Sequence, residues 1–439
     1  MPAYIGVNGK AKGIRKVYKG NSEGKAEMIW GPKGFVRLAK NDIAKVPSPL
    51  CACTVCHDYT ALDTGNSAIF AGGKDKSNTP ISSAVLYNED LTQTTLDNLI
   101  CGGAELTAVS YSPYGEGSIF TPGYLADYSS SEYTSKGNQL TMYDYRRTKT
   151  KLGEFSNYRY NVGASAFNPI DDKMWTSEDA NDSDGVAPQE AAGQKYLVVF
   201  AGGVNKTLGK IYNDVESFDE SRTKSTLSSL SNKKYYVAGA TIGDYLIFGG
   251  GIIDDDSFVD ADSTVDCYDQ YLTRISGPDL KNTNATPSAV TSDTNSLRIK
   301  PYDGPDGKYA VFFSSDECLT VNAYDKNLTQ TSFTTEPFRR PGAAVSGFQP
   351  FLCLSANYLS GYYIVNAWID DDSTTGSGIY HGIVFDEFLT RCDDICFTPK
   401  NGINNPVSLT TIGNYLFFPG YSKSDKPEYS LTDAYYLWE

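Results

Sequence analysis

A short phrase recurs along this chain and narrows what it can fold into. An aromatic residue is followed by Asp or Asn and, five positions beyond the aromatic, by Thr. The copies run from Tyr87-Asn88 to Thr92, Tyr143-Asp144 to Thr148, Phe218-Asp219 to Thr223, Tyr268-Asp269 to Thr273, Tyr324-Asp325 to Thr329 and Phe385-Asp386 to Thr390. Successive aromatics stand 56, 75, 50, 56 and 61 residues apart, too far for a helical solenoid and regular enough to mark one structural unit per copy. Ahead of each phrase lies an apolar run that ends in small residues: Ile69 to Gly73, Ile119 to Gly123, Val199 to Gly203, Ile247 to Gly250, Val311 to Ser315 and Ile364 to Ala367. A seventh run, Leu416 to Gly420, is followed by Thr432 to Trp438 and the end of the chain, so the last unit is cut short.

Each unit reads as a small antiparallel sheet. An apolar strand ends at Gly-Gly, where only a residue without Cβ turns tightly and lets a neighbouring backbone approach. After a polar loop comes a strand ending in the aromatic, then a tight turn in which the Asx side chain bonds its own backbone, then an outer strand. Helix-forming stretches are nearly absent, so the expected class is all-β. The 439 residues, which by length alone would suggest roughly three domains, then belong mostly to one domain. The short last unit lacks an outer strand, and Phe35-Val36-Arg37-Leu38, within residues 34–40, is the candidate to supply it, closing the array and removing its open edges. Asn168 to Lys195, polar and acidic, is an insertion of the kind that projects as a loop.

This pattern resembles the kelch family of β-propellers, whose repeat carries a hydrophobic run, a Gly-Gly pair and an aromatic-Asp turn. The resemblance covers about residues 41 to 439 and departs from the family where a Trp usually follows the turn, here Leu96, Leu227 or Phe333. It implies a seven-bladed kelch-like β-propeller over residues 34–439, each blade of about four strands around a central channel.

Residues 1–33 form a separate expected module. Tyr4-Ile5-Gly6 with Gly9-Lys10-Ala11-Lys12 is echoed by Tyr18-Lys19-Gly20 with Gly24-Lys25-Ala26-Glu27, which reads as two short β-hairpins. This Tyr-x-Gly…Gly-Lys-Ala phrase is similar to short repeats in tail and fibre proteins of bacteriophages infecting Gram-positive bacteria. The first 40 residues carry nine Lys and Arg against two Glu, a charge of +7 on a chain of −15, so the body carries −22. A basic arm on an acidic body suits docking to an acidic protein surface. Nucleic acid fits less well, because the arm's aromatics (Tyr4, Tyr18, Trp30, Phe35) are sparse and the body repels phosphate. The resemblance implies that Tyr4, Lys10, Lys12, Arg15, Lys16, Tyr18, Lys19 and Lys25 anchor the chain to other virion tail or baseplate proteins. Met1 to Lys16 holds Lys and Gly where a signal peptide needs its apolar core, and no apolar run of about 18 residues is present to insert in a membrane, so folding in a cytoplasm is expected; the resemblance implies that this is a host's and that the chain assembles into a virion. Nothing such as a heptad run argues for or against a homo-oligomer.

Chemistry finds little support. Only two histidines, His57 and His381, are present, and the nine cysteines are scattered as reduced strand thiols would be. Cys53-Thr54-Val55-Cys56-His57, preceded by Cys51, has the form of a haem attachment or zinc phrase, with Cys392 and Cys396 as distant partners; the plainer reading is a first strand of the first unit, with no cofactor. Acidic stretches at Asp254-Asp255-Asp256, Asp260 with Asp262, and Asp370-Asp371-Asp372 lack the EF-hand spacing for calcium. Sialidase-type Ser-x-Asp-x-Gly-x-Thr-Trp turns are missing, and two histidines in the first and sixth units make a poor copper site. Carboxylate pairs for glycoside hydrolysis stay open, since separation is not readable from sequence.

Binding has more to recommend it. Tyr111, Tyr114, Tyr124, Tyr128, Tyr133, Trp175, Tyr358, Tyr362 and Trp368 stand near Asp and Asn in loops, the residue types that stack on sugars and hydrogen-bond hydroxyls, although many propeller aromatics pack between blades instead. Together with what the resemblance of the N-terminal module implies, the expected function is a non-enzymatic tail or fibre protein that displays a propeller toward a host-surface glycan or protein or toward neighbouring virion proteins. The alternatives are a bacterial kelch-like adaptor or carbohydrate-binding protein, and a glycan hydrolase.

Overall fold

A computed structural model describes residues 67–73, 79–88, 92–110, 117–124, 137–144, 146–166, 197–219, 221–253, 261–281, 309–314, 319–335, 382–386 and 388–392, with residues 356, 362–365, 410, 412, 415 and 416; in the other strands it describes the backbone alone. Among these residues the architecture is all-β and propeller-like. No helix among them is long and apolar enough to cross a membrane, and a single 3-10 turn, Lys206–Leu208, interrupts the strands.

Seven sheets have four strands each, all antiparallel between neighbours. The first holds Ala52–Cys56, Ser67–Ala71, Ala84–Asn88 and Gln93–Leu96. The second holds Ala108–Tyr111, Gly117–Phe120, Gln139–Tyr143 and Lys149–Glu154. The third holds Gly163–Phe167, Leu197–Ala201, Val215–Asp219 and Lys224–Leu227, and the fourth Ala238–Ile242, Tyr245–Gly249, Val265–Tyr268 and Arg274–Ser276. The fifth runs through Ser288–Thr291, Ala310–Ser315, Leu319–Tyr324 and Gln330–Thr334, the sixth through Leu352–Leu359, Tyr362–Asp370, Gly378–Asp386 and Ile395–Phe397. In the seventh, Thr410–Ile412, Tyr415–Lys423 and Lys426–Trp438 are joined by Gly34–Arg37, which pairs Phe35 with Leu437 and Arg37 with Tyr435. The first strand of each sheet lies beside the first strand of the next, and that of the seventh lies beside that of the first. Near the N-terminus, Tyr4–Val7 pairs with Lys10–Gly13 and Val17–Gly20 with Ala26–Trp30.

The two sequence marks of a unit meet inside its sheet. The Phe of the apolar run lies edge-on to the phrase aromatic: Phe70 to Tyr87 at 5.3 Å, Phe120 to Tyr143 at 6.0 Å, Phe248 to Tyr268 at 6.2 Å and Phe312 to Tyr324 at 5.6 Å between centroids. Such pairs are worth about 0.5–1.5 kcal/mol beyond the area they bury. Second strands are largely apolar because neighbouring sheets cover both of their faces. In Leu197–Ala201, Val198 and Phe200 pack against Ile119 and Leu140 of the second sheet, while Leu197 and Val199 pack against Leu246 and Phe248 of the fourth. The core is thus a succession of layers between sheets. Outer strands contribute little to it beyond Leu152 and the residues at the usual Trp position, Leu96, Leu227 and Phe333.

The aromatic-Asx turn has the chemistry expected of it. The Asp N–H donates to the Thr carbonyl, and the Thr N–H donates back to the Asp carboxylate, at 2.8 Å for Asp144, Asp219, Asp269, Asp325 and Asp386 alike. The residue before the Thr has left-handed backbone, a place that favours glycine, yet it is Arg147, Arg222, Leu272, Leu328 or Leu389. For the leucines the cost, about 1–2 kcal/mol, is offset by burial. Leu389 joins the layer between the fifth and sixth sheets, and Leu272 and Leu328 cover the layers beside theirs.

Candidate functional site

The ladder between first and second strands continues in register beyond the Gly-Gly turns. Outside the Ala108–Phe120 pair, Ala104 bridges Tyr124; in the third and fourth sheets, Tyr160 bridges Val204 and Tyr235 bridges Ile252. The glycines make room for this. Gly202 and Gly203 have φ of +67° and +109°, and a Cβ on Gly202 would stand 2.4 Å from the Lys234 carbonyl oxygen arriving from the next sheet. The Gly203 N–H donates to that same oxygen.

Between each bridge and the first strand one residue turns left-handed: Glu105 at φ 58°, Asn161 at 53° and Tyr236 at 54°. Asn tolerates this conformation, whereas Glu and Tyr are strained in it by about 1–2 kcal/mol. The turn aims the three side chains at one another. Asn161 Nδ2 donates to Glu105 Oε2 at 2.8 Å, and the Tyr236 hydroxyl donates to the same oxygen at 3.2 Å. Burial, and then the Glu105 charge, pushes the Tyr236 pKa well above the ordinary phenol range, so it remains a donor at any physiological pH. Three successive sheets therefore converge on one carboxylate.

Tyrosines surround it. Tyr160, Val204, Tyr235 and Ile252 form a buried cluster, with Tyr124, Tyr158 and Tyr236 half-buried against it. Centroids lie 5.7 Å apart for Tyr124 and Tyr160 and 5.1 Å for Tyr235 and Tyr236. The Tyr158 hydroxyl donates to the Gly123 carbonyl at 2.8 Å, and Lys206 Nζ lies 5.8 Å from the Tyr235 ring centroid.

Two buried cations sit beside this layer, one residue before Tyr160 and Tyr235. Arg159 is fully buried over the Phe155 ring and donates to Glu216 at 2.9 Å and Asp214 at 3.2 Å. Burial lowers the Arg159 pKa, and the two carboxylates oppose that. Lys234, also fully buried, pairs with Asp262 at 3.0 Å and Asp266 at 3.6 Å and donates to the Thr264 carbonyl. Burial alone would raise the Asp262 pKa, but Lys234 and Thr264 outweigh it and hold the carboxyl below its usual range. Glu216 and Asp266 occupy the same place, two residues before the phrase aromatic, where Thr141 and Asn322 stand in the second and fifth sheets. Each of the four accepts a backbone N–H from the segment leaving the preceding sheet: Ile100 to Thr141, Ser156 to Glu216, Ser231 to Asp266 and Lys281 to Asn322, all at 3.0 Å. Phrase tyrosines add a second tie to that segment: Tyr143 donates to Asp97, Tyr268 to Ser228 and Tyr324 to Pro278, at 2.5–2.6 Å. These charges and hydroxyls hold sheet to sheet.

The aromatics expected to bind ligand divide between the two ends of the strands. Tyr124 lies at the Gly-Gly end, inside the tyrosine cluster, and Trp368 stands toward that same end of its strand, opposite Leu352. Tyr111 pairs with Gly117, and Tyr358 and Tyr362 lie at the turn joining their strands, all at the opposite end. Trp368 stands six positions along the strand from Tyr362, about 20 Å, so these residues do not form one site. Tyr114, Tyr128, Tyr133 and Trp175 lie outside the described residues, as does Asn168 to Lys195, which joins two strands at the end away from Glu105. Of the anchoring residues, Tyr4, Lys10, Lys12, Tyr18 and Lys19 stand on the N-terminal hairpin strands, and Arg15, Lys16 and Lys25 lie outside the described residues.

Cys53 and Cys56 lie on the strand Ala52–Cys56, and His381 faces Cys396 in strand register; Cys51 and His57 are outside the described residues. Burial pushes the Cys267 thiol up to about 12 and leaves it inert. Among the described residues no group of three His, Cys, Asp or Glu is placed to hold a metal ion, and Asp262 is committed to Lys234.

The sequence reading missed Glu105, Asn161 and Tyr236. A signal existed in Arg159-Tyr160-Asn161-Val162-Gly163 and Lys234-Tyr235-Tyr236-Val237-Ala238, a basic-Tyr-x-Val-small phrase just ahead of two first strands.

No protein-family model matches the chain, and no curated protein matches it. Among solved structures, one titled "Structure of YjhT" is similar at a TM-score of 0.45 and 12% identity, over 75% of this chain and 93% of that chain.

Proposed function

We propose that this chain is a non-enzymatic recognition protein of a bacteriophage tail or fibre. In this reading its seven sheets are the blades of a closed, kelch-like ring fastened by Gly34–Arg37, and its basic module, residues 1–33, anchors it to the virion. The observation that carries the recognition role is the convergence of Glu105, Asn161 and Tyr236, two of them in strained backbone, on one tyrosine-lined rim. Strain of this kind persists where the surrounding structure holds a side chain for use. The Glu105 carboxylate is held by neutral donors, an arrangement that holds a ligand, whereas glycosidic cleavage employs two facing carboxyl groups. Closure is supported by the circuit of neighbouring first strands and the pairing of Gly34–Arg37 with the last strand. Anchoring is supported by the charge of the first 40 residues and by their Tyr-x-Gly…Gly-Lys-Ala repeats.

Deletion of residues 1–33, which spares the Gly34–Arg37 strand, is expected to abolish incorporation into particles while leaving the body folded. Immunoblotting of purified particles checks this. Truncated protein incorporated at the level of the full chain contradicts the anchoring role.

A further inference from the structure

The ligand class of the rim follows from its charge balance, given the recognition role above. We propose that the rim around Glu105 takes an organic ammonium group. Every buried cation nearby already has its carboxylates: Arg159 has Glu216 and Asp214, and Lys234 has Asp262 and Asp266. Glu105 has none. Its Oε2 is held by the Asn161 amide and the Tyr236 hydroxyl, and among the described residues its Oε1 accepts no hydrogen bond and the carboxylate forms no ion pair.

The described partners of this half-buried carboxylate are two neutral donors, which leaves the place of a counter-cation to whatever docks against it. The surroundings select the form of the neutralising cation. A calcium ion takes about six to eight oxygen ligands, and among the described residues no group of three His, Cys, Asp or Glu gathers at this rim. An organic ammonium needs a single counter-charge and aromatic faces, since a cation is drawn to the ring quadrupole within about 6 Å of the centroid. Tyr124, Tyr158 and Tyr236 are the half-buried rings at hand, and Lys206, with Nζ at 5.8 Å from the Tyr235 centroid, is an ammonium that the chain itself sets against a ring of this cluster. A neutral sugar would gain a hydrogen bond to Oε1 and leave the charge uncancelled.

The same group is carried by choline headgroups and by protonated amino sugars, and the test separates them. The full chain is titrated calorimetrically with choline chloride, with glucosamine hydrochloride, and with glucose and sodium chloride as controls at equal ionic strength. Saturable binding of choline or glucosamine is expected, with neither control binding. The charge-removing, nearly isosteric Glu105→Gln should weaken it by at least about tenfold, or about 1.4 kcal/mol. Tyr236→Phe, which keeps the ring and loses the donor, should weaken it less. Binding of glucose as tight as that of the cations, equal affinity in Glu105→Gln, or no saturable binding of either ammonium overturns the proposal. If the chain sediments with Gram-positive cells in a Glu105-dependent way that neither ammonium competes, the ligand class is wrong and the recognition role stands. If Glu105→Gln leaves cell sedimentation unchanged, the recognition role of this rim fails as well.

Discussion

Arg159→Met is expected to destabilise the protein by roughly 3–5 kcal/mol, the largest loss from any single substitution considered. The guanidinium is fully buried, and among the described residues its removal leaves Glu216, 1% exposed, with the partly exposed Lys224 at 3.3 Å as its counter-charge. Desolvating a carboxylate is tolerated only when it is paired and hydrogen-bonded. Glu216→Leu alone leaves the buried Arg159 charge to the partly exposed Asp214 at 3.2 Å and also frees the Ser156 N–H that Glu216 accepts at 3.0 Å. The double variant Arg159→Met with Glu216→Leu should lose much less than the two single losses added together, because a dry apolar pair replaces two buried charges. Urea unfolding of the four proteins measures the coupling. Strictly additive losses would mean that the two side chains act independently, contrary to the geometry.

Removing residues 1–40 is expected to do what removing 1–33 does not. The longer deletion takes away Gly34–Arg37 and with it the ladder to Trp438, Leu437, Tyr436 and Tyr435. Hydrogen bonds of about 0.5–1.5 kcal/mol net each over a strand of this length amount to a loss of roughly 2–4 kcal/mol. The exposed edge of Lys426–Trp438 then becomes a template for pairing between chains. The shorter deletion should melt within a few degrees of the full chain and stay dispersed, whereas the longer one should melt well below it and self-associate on warming. Light scattering during a thermal ramp distinguishes them. Matching melts for the two truncations would rule out the clasp.

The marks legible in the sequence are those that carry contacts within one unit. The Phe of the apolar run and the phrase aromatic are conspicuous because they touch, as Phe70 touches Tyr87, and the Asp recurs because its carboxylate closes the turn on the Thr N–H. Less legible was whatever acts between units. Arg159 and Lys234 look like ordinary surface charges in Tyr158-Arg159-Tyr160 and Lys233-Lys234-Tyr235, and only the folded chain shows the third-strand carboxylates Glu216 and Asp266 beside them. Glu105 and Tyr236 escaped notice because neither residue type advertises a left-handed backbone, and because 131 positions separate the two ends of their hydrogen bond. Loop tyrosines drew attention by composition alone, and of these Tyr124 lies in the cluster beside Glu105.

The central claim is that recognition resides on the rim where Glu105, Asn161 and Tyr236 meet. Its most direct test is the sedimentation of fluorescently labelled protein with a panel of Gram-positive cells, comparing the wild-type chain with a triple variant, Glu105→Gln, Asn161→Ala and Tyr236→Phe. Loss of three rim contacts worth about 1 kcal/mol or more each predicts binding at least about a hundredfold weaker, with circular dichroism and melting close to wild type. A folded triple variant that binds the same cells as tightly as the wild-type chain would contradict it.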